Sequence, residues 1–258
     1  MGRGRADMAG ENDKTVSAAI LAIGDELLSG RTMDKNIGYI ARYMTEIGVD
    51  VREARIVADE EERIVAALNE LRSSYDYVFT TGGIGPTHDD ITADAVAKAF
   101  GVSISHHPQA LAILKERYEK LRGLELNEAR LRMARIPDGG GLIENTVSGA
   151  PGIHIGNVFV MAGVPAIMQA MLDKVAPLLK TGRRMLSRTL KLSVAEGDIA
   201  AILEAVQKQY SGLSIGSYPF YNEQVFGTNV VLRARDEKLL DEAEAALREA
   251  LGALAGNG

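Results

Sequence analysis

Apolar and polar positions along the chain alternate between two periods. Ser17 to Ile23 is a short, almost unbroken apolar run ended by Gly24, the pattern of a strand covered on both faces. From Asn36, apolar residues recur at Ile37, Ile40, Tyr43, Met44 and Ile47, which is helical spacing, and Gly48 is a natural stop. Val49 to Val57 is β-branched and alternating, so it predicts a strand. Glu60 to Leu71 predicts a helix with Ile64, Val65, Leu68 and Leu71 on one face. Tyr75 to Thr80 predicts a further strand, and Ile91 to Phe100 a helix closed by Gly101. This βαβαβα series calls for an α/β fold with a mainly parallel sheet and helices on both faces.

After that series, Pro108 to Leu121 predicts a long charged helix. Ala150 to Ala162 predicts a hairpin turning at Gly156-Asn157, and Pro165 to Leu179 one more helix opened by proline. Lys180-Thr181-Gly182-Arg183-Arg184 is a polar, basic joint. Beyond it come strand Arg188–Val194, helix Gly197–Tyr210, strands Leu213–Tyr218 and Asn229–Ala234, and helix Glu237–Leu251. That βαββα order implies a small α+β domain over residues 188–254, behind an α/β domain over 17–180. Residues 1–16 carry no apolar core of the kind an export signal needs and are expected to be a disordered leader.

Composition narrows the chemistry. With 258 residues, 46% hydrophobic and 25% charged, the chain is ordinary for a globular protein, and no long uncharged apolar run suggests a membrane span. The absence of cysteine excludes disulfides, thiolate metal sites and cysteine nucleophiles, and a cytoplasmic location is the default. A net charge of -6 argues against broad nucleic-acid binding. A small nucleotide or pterin remains a suitable partner, held by backbone amides and a divalent cation in place of a basic field. The hairpin and the C-terminal unit offer surface for a homo-oligomer.

In a doubly wound sheet, ligands sit outside the carboxyl ends of the strands, so the loops there carry the functional reading. Gly24-Asp25-Glu26-Leu27-Leu28-Ser29-Gly30 places two carboxylates between glycines directly after the first strand. Thr80-Thr81-Gly82-Gly83-Ile84-Gly85-Pro86-Thr87-His88-Asp89-Asp90 offers three unobstructed glycines as an anion nest, hydroxyls at Thr81 and Thr87, and two aspartates, of which Asp90 is placed to cap the next helix. Asn145 to Gly152, including Gly149 and Pro151, is a third polar, turn-rich segment. Amides and hydroxyls suit phosphate oxygens. Carboxylates repel phosphate and are better explained as hard-oxygen ligands to a divalent ion. The spacing is neither that of a Walker A loop nor of a dinucleotide fingerprint. His88 reads as a solvent-facing loop residue, His106-His107 as a polar helix entry, and His154 as a packed or edge residue.

The string from Thr80 to Thr92, together with Gly24–Gly30 and Asn36, resembles the molybdopterin-binding domain family, and most closely its CinA-like (competence/damage-inducible) branch. The resemblance spans about residues 17–180, and Gly216-Ser217-Tyr218-Pro219 matches the small domain that follows in that branch. It implies a three-layer α/β/α domain and a nucleotide or molybdopterin ligand. It also implies metal-dependent hydrolysis of ADP-ribose or a related nucleoside diphosphate compound, with Mg, Mn or Co as the cation; adenylyl transfer to molybdopterin, or binding without catalysis, are the alternatives. By position, Asp59 and Asp90 match the family's two acidic site positions and are the expected catalytic pair, Asp89 belongs to the double-Asp variant of this branch and is expected to hold the metal with Asp90, Gly82, Gly83 and Gly85 match the phosphate loop, and Asp25 and Glu26 the first loop. The chain has no match to the deamidase domain that ends full-length members. The usual Pro-Gly-x-Pro turn followed by glutamate reads here Ala162-Gly163-Val164-Pro165-Ala166, without the carboxylate.

Overall fold

A computed structural model describes residues 15–120, 123–222 and 225–255; most of the expected leader lies outside the described residues. The chain forms two compact units, one running to Gly182 and the other from Arg183.

The first unit is built on a six-stranded mixed sheet. Its strands are β1 (Val16–Ile23), β2 (Val49–Val57), β3 (Tyr77–Thr81), β6 (Gly141–Ile143), β7 (Gly152–Ile155) and β8 (Val158–Met161), in the order β2-β1-β3-β8-β7-β6. The first four in that order run parallel, and β7 and β6 are antiparallel. A separate two-stranded sheet joins β4 (Ile104–His106) to β5 (Arg135–Pro137), and the short helix α6 (Glu128–Leu131) precedes β5. Strand β1 lies between β2 and β3, and every residue after Ser17 in it is buried, as its apolar run requires.

Helices cover both faces. On one side α3 (Glu61–Ser74), α4 (Thr92–Phe100) and α5 (Pro108–Lys115) pack Ile64, Leu68, Leu71, Val96 and Leu114 against Leu21, Ile23, Val78 and Val160. On the other, α2 (Ile37–Ile47) and α7 (Pro165–Val175) pack Ile40, Met44, Met168 and Leu172 against Ile20, Phe79 and Phe159. Side chains that alternate across the strands feed these two clusters, and the result is a three-layer α/β/α unit.

Three local features differ from the sequence reading. The segment after β1 is not an open loop: Asp25–Leu28 forms a one-turn helix, α1. The long helix from Pro108 changes at Glu116 into a π-helical turn, Glu116–Lys120, and Leu121 lies outside the described residues. The third is Asp90, which does not cap α4. Its Oδ2 accepts the Thr87 amide at 2.8 Å and the Thr87 hydroxyl at 2.6 Å, closing the turn that leads into the helix.

The second unit follows the expected βαββα order: β9 (Leu186–Leu192), α8 (Glu196–Gln209), β10 (Ser214–Asn222), β11 (Val225–Ala234) and α9 (Glu237–Ala255). Its antiparallel sheet has the order β10-β11-β9. Both helices bury one face of it through Ile199, Leu203, Val206, Leu240 and Leu247 against Leu190, Val230 and Leu232.

Candidate functional site

The chain runs from β1 outward to β2, then returns past β1 to β3. The carboxyl ends of β1 and β3 therefore flank a topological switch point, where backbone from two adjacent connections diverges and leaves a crevice. The segments after β1, β2, β3 and β8 all emerge on this edge. The Asn145–Pro151 segment joins them because β7 runs antiparallel to β8 and starts where β8 ends.

Hydrogen bonds tie these segments together. Asp59, just after β2, accepts the Asp25 amide at 2.9 Å, and the Asp25 carboxylate faces the Asp59 amide at 3.3 Å, so α1 and the β2 end hold each other. Asn36 donates to the Thr81 hydroxyl at 2.8 Å and to the Gly163 carbonyl at 2.7 Å, and Thr81 passes its own proton to the Ala162 carbonyl at 2.9 Å. All three ends are thereby locked by buried groups whose protons are spent inside the protein.

The glycines are fixed by close approach. A Cβ on Gly82, whose φ is +109°, would meet the Ile23 carbonyl oxygen at 2.1 Å; one on Gly83 would meet the Thr92 hydroxyl at 2.2 Å. These contacts bring the β3 loop against β1 and the first turn of α4, where only glycine fits. Thr92 donates its hydroxyl proton to the Gly82 carbonyl at 3.0 Å, and its amide to the Gly83 carbonyl at 3.0 Å.

Between the segments lies a cleft of about 620 Å³. Gly24, Glu26, Asp59, Gly82, Gly83, Gly85, Asp89, Asp90 and Asn145 border it, all of them expected at the site from sequence. Asn36 and Thr81 instead border a smaller depression of about 220 Å³, which shares Glu26, Thr32, Gly163 and Pro165 with the main cleft. Asn145 also reaches a third hollow, where Gly149 and Pro151 are found. Asp25, Ser29, Thr80, Thr87 and Gly152 border none of these three. Thr80 is 1% exposed, and Thr87 is spent on Asp90. Ser148, Tyr118, Met133 and Ile167 border the main cleft without having been expected there. Ser148 sits inside the polar Asn145–Gly152 string and Tyr118 inside the predicted charged helix Pro108–Leu121, whereas Met133 lies in no predicted element.

Four carboxylates meet this cleft, and no Lys or Arg is among its described lining residues. Burial raises the pKa of Asp59 above its usual value; the Asp25 amide opposes that shift, and the charges of Asp25, Glu26 and Asp89 add to it. His88 faces solvent, its side chain 98% exposed, with its Nδ1 4.0 Å from Asp89 Oδ1. His154 stacks on Phe159 at 4.3 Å, a packing role.

Residues 19–181 match the family described as the probable molybdopterin-binding domain. The chain belongs to that family. Residues 184–255 match the middle domain of FAD synthase, so the two matches divide near the boundary between the two compact units. A Pyrococcus furiosus protein is 36% identical over 238 residues, covering 88% of this chain and 93% of its own length. A CinA-like protein of Citrifermentans bemidjiense is 37% identical over 245 residues; the match covers 91% of this chain and 58% of that longer protein. Among solved structures, the protein CinA of unknown function from Thermoplasma acidophilum is 34% identical with a TM-score of 0.58, over 62% of this chain and 97% of that one. The match to the molybdopterin-binding domain covers the unit that carries the cleft.

A cation suits the donor set in one particular way. Among the described residues no three Asp, Glu or His converge as a self-sufficient metal cage. Magnesium is commonly held by one or two carboxylates, with substrate phosphates and water completing the shell. Glu26, Asp89 and Asp90, on a cleft with no Lys or Arg among its described lining residues, fit a cation that arrives with its phosphate ligand. No described helix is long and apolar enough to cross a membrane.

Proposed function

We propose that the cleft binds a nucleoside diphosphate compound of the ADP-ribose type together with a divalent cation, and hydrolyses its anhydride. The observation that carries this reading is a glycine-lined cleft at the switch point that combines four carboxylates with no Lys or Arg among its described lining residues. A phosphate in such a place needs backbone donors and a companion cation to offset the carboxylates. Molybdopterin shares the phosphate and the planar ring, so it is the second ligand the same chemistry admits.

The protein's own contribution divides by position. The Gly83–Gly85 backbone borders the cleft and would admit phosphate oxygens, whereas the Gly82 amide is spent on the Met161 carbonyl at 3.1 Å. Asp89 and Asp90 would hold the cation, which when bound neutralises charge on the bridging and departing phosphate oxygens. The Asp25 amide already occupies Asp59 Oδ2, which leaves Oδ1 to take a proton from water as its oxygen bonds to phosphorus. The bond from that phosphorus to the bridging oxygen breaks, and the second water proton stays on the new monoester. The raised pKa of Asp59 suits a group that accepts a proton in this step.

A second reading, ligand binding without turnover, draws on one observation: Ala162, Gly163, Val164, Pro165 and Ile167 border the cleft and supply no carboxylate. One experiment separates the two. Purified protein is incubated with ADP-ribose and Mg²⁺, Mn²⁺ or Co²⁺, and AMP is measured, alongside Asp90→Ala. AMP release by the wild type and its loss in the folded variant support hydrolysis. Binding with no AMP under any of the three metals supports the carrier reading.

A further inference from the structure

Carboxylates and glycine amides account for one part of the cleft, but not for its size or its apolar walls. A volume of about 620 Å³ exceeds what a diphosphate fills and lies in the range of sites for whole small-molecule ligands. Two walls face it, one from each layer of the fold. Ala162 and Ile167 belong to the cluster beneath α2 and α7, whereas Tyr118, Met133 and Ala150 pack on the cluster beneath α3, α4 and α5. Tyr118 is the sole aromatic side chain among the described lining residues.

The position of that ring is built, not incidental. Tyr118 lies in the π-helical turn that follows α5, a widening of the helix that shifts every later side chain around the axis and that recurs at functional sites. Its carbonyl accepts the Leu124 amide at 2.9 Å, and the Arg130 guanidinium sits 4.9 Å from the ring centroid. The preceding Arg117 donates to the Val147 carbonyl at 2.5 Å and lays its stem against Gly149, joining this turn to the polar segment that brings Asn145 and Ser148 to the cleft. Asn145 spends its amide group inside that segment, on Ser148 Oγ, the Ala150 carbonyl and the Val147 and Ser148 amides. Ser148 Oγ accepts from Asn145, so its own proton is what the segment can offer to a ligand.

We infer that Tyr118 is the specificity-determining residue of the cleft: its ring packs on the planar nitrogen heterocycle of the ligand, purine or pterin, with the Ser148 hydroxyl beside it. The inference rests on the proposed reading of the cleft as a phosphate-ligand site and adds what lies beyond the phosphate. Tyr118 discriminates between ligands by their ring and takes no part in breaking the anhydride.

The sequence contains no tryptophan, so Tyr118→Trp introduces a single indole reporter at the subsite. The probes are AMP and ribose 5-phosphate, each with Mg²⁺; they are monophosphates that differ by the base. Calorimetry on wild type, Tyr118→Phe and Tyr118→Ala is run beside fluorescence titration of Tyr118→Trp. Expected results are indole emission quenched by AMP and not by ribose 5-phosphate, and AMP affinity kept in Tyr118→Phe. In Tyr118→Ala, AMP affinity should fall roughly ten- to hundredfold, the worth of one stacked base, with ribose 5-phosphate affinity unchanged. If Tyr118→Ala does not fold, the Trp and Phe variants carry the test. AMP binding with indole emission unchanged overturns the inference and leaves the phosphate site standing. So does an equal loss of both ligands in Tyr118→Ala. Failure of both probes to bind the wild type overturns the inference and the site reading together.

Discussion

The buried bases of the strand-end segments and their exposed rims are made of similar polar residues and do different work. At the bases, Asn36, Thr81 and Thr92 are 6% exposed or less, and their protons go to carbonyls and hydroxyls of neighbouring segments. At the rims, Glu26, Asp59, Asp89, Asp90 and Ser148 border the cleft. Hydrogen bonds tell the two apart: a buried polar group whose donor protons are spent on neighbouring segments belongs to the frame, and one facing a cavity is available to a ligand. The comparison also explains the glycines. Gly82 and Gly83 belong to the frame by their close contacts and to the rim by their place in the cleft lining.

The largest effect that can break this division is at Gly82. Gly82→Ala places a methyl group 2.1 Å from the Ile23 carbonyl at a φ of +109°, so the β1–β3 junction has to open. A stability loss of about 3 kcal/mol or more is expected, read by thermal or urea unfolding; a melting curve like that of the wild type would remove Gly82 from the frame.

Asp59 tests the rim. Asp59→Asn keeps an oxygen for the Asp25 amide but cannot take a proton, so AMP formation from ADP-ribose should fall about 10²- to 10⁴-fold while the fold is retained. The pH sign follows from the raised pKa. The protonated form is favoured in the folded state, so the contribution of Asp59 to stability is fully present below the ordinary aspartate range and lost as pH rises through the raised value. The Asn variant should therefore match the wild type in acid and gain in melting temperature relative to it as pH rises through that window. A variant that loses stability at neutral pH would place Asp59 in the frame instead.

Thr81 gives a smaller effect of the opposite kind. Thr81→Val removes the hydroxyl between Asn36 and the Ala162 carbonyl and should cost about 1–3 kcal/mol of stability. Affinity of the folded protein for the ligand should be nearly unchanged, as calorimetry can determine. A variant with intact stability and lost affinity would move Thr81 to the rim.

The sequence made much of the frame visible. Strands with long, clear patterns are found where expected, with Val49–Val57 matching at both ends, and the hairpin turns at Gly156-Asn157. The missed elements are those too short to show a period: the single turn Asp25–Leu28 and the three-residue strands at Ile104, Arg135 and Gly141. At the site, the glycines and Asp89-Asp90 were legible because residue type alone suggests their use. Which of the polar residues are consumed internally was not, since the partners of Asn36 and Thr81 lie 127 and 81 positions away along the chain. Tyr118 was hidden for a different reason: a π-helical turn redirects a side chain without leaving a mark in helical spacing.

The most direct test of the central claim measures binding and chemistry on the same samples. ADP-ribose with Mg²⁺ is mixed with excess wild type or Asp59→Asn, bound ligand is determined by rapid filtration, and AMP by quenching over a single turnover. Both proteins should bind ADP-ribose, with AMP forming at an appreciable rate only in the wild type. Equal rates of AMP formation in the two, or no binding by the wild type, would contradict it.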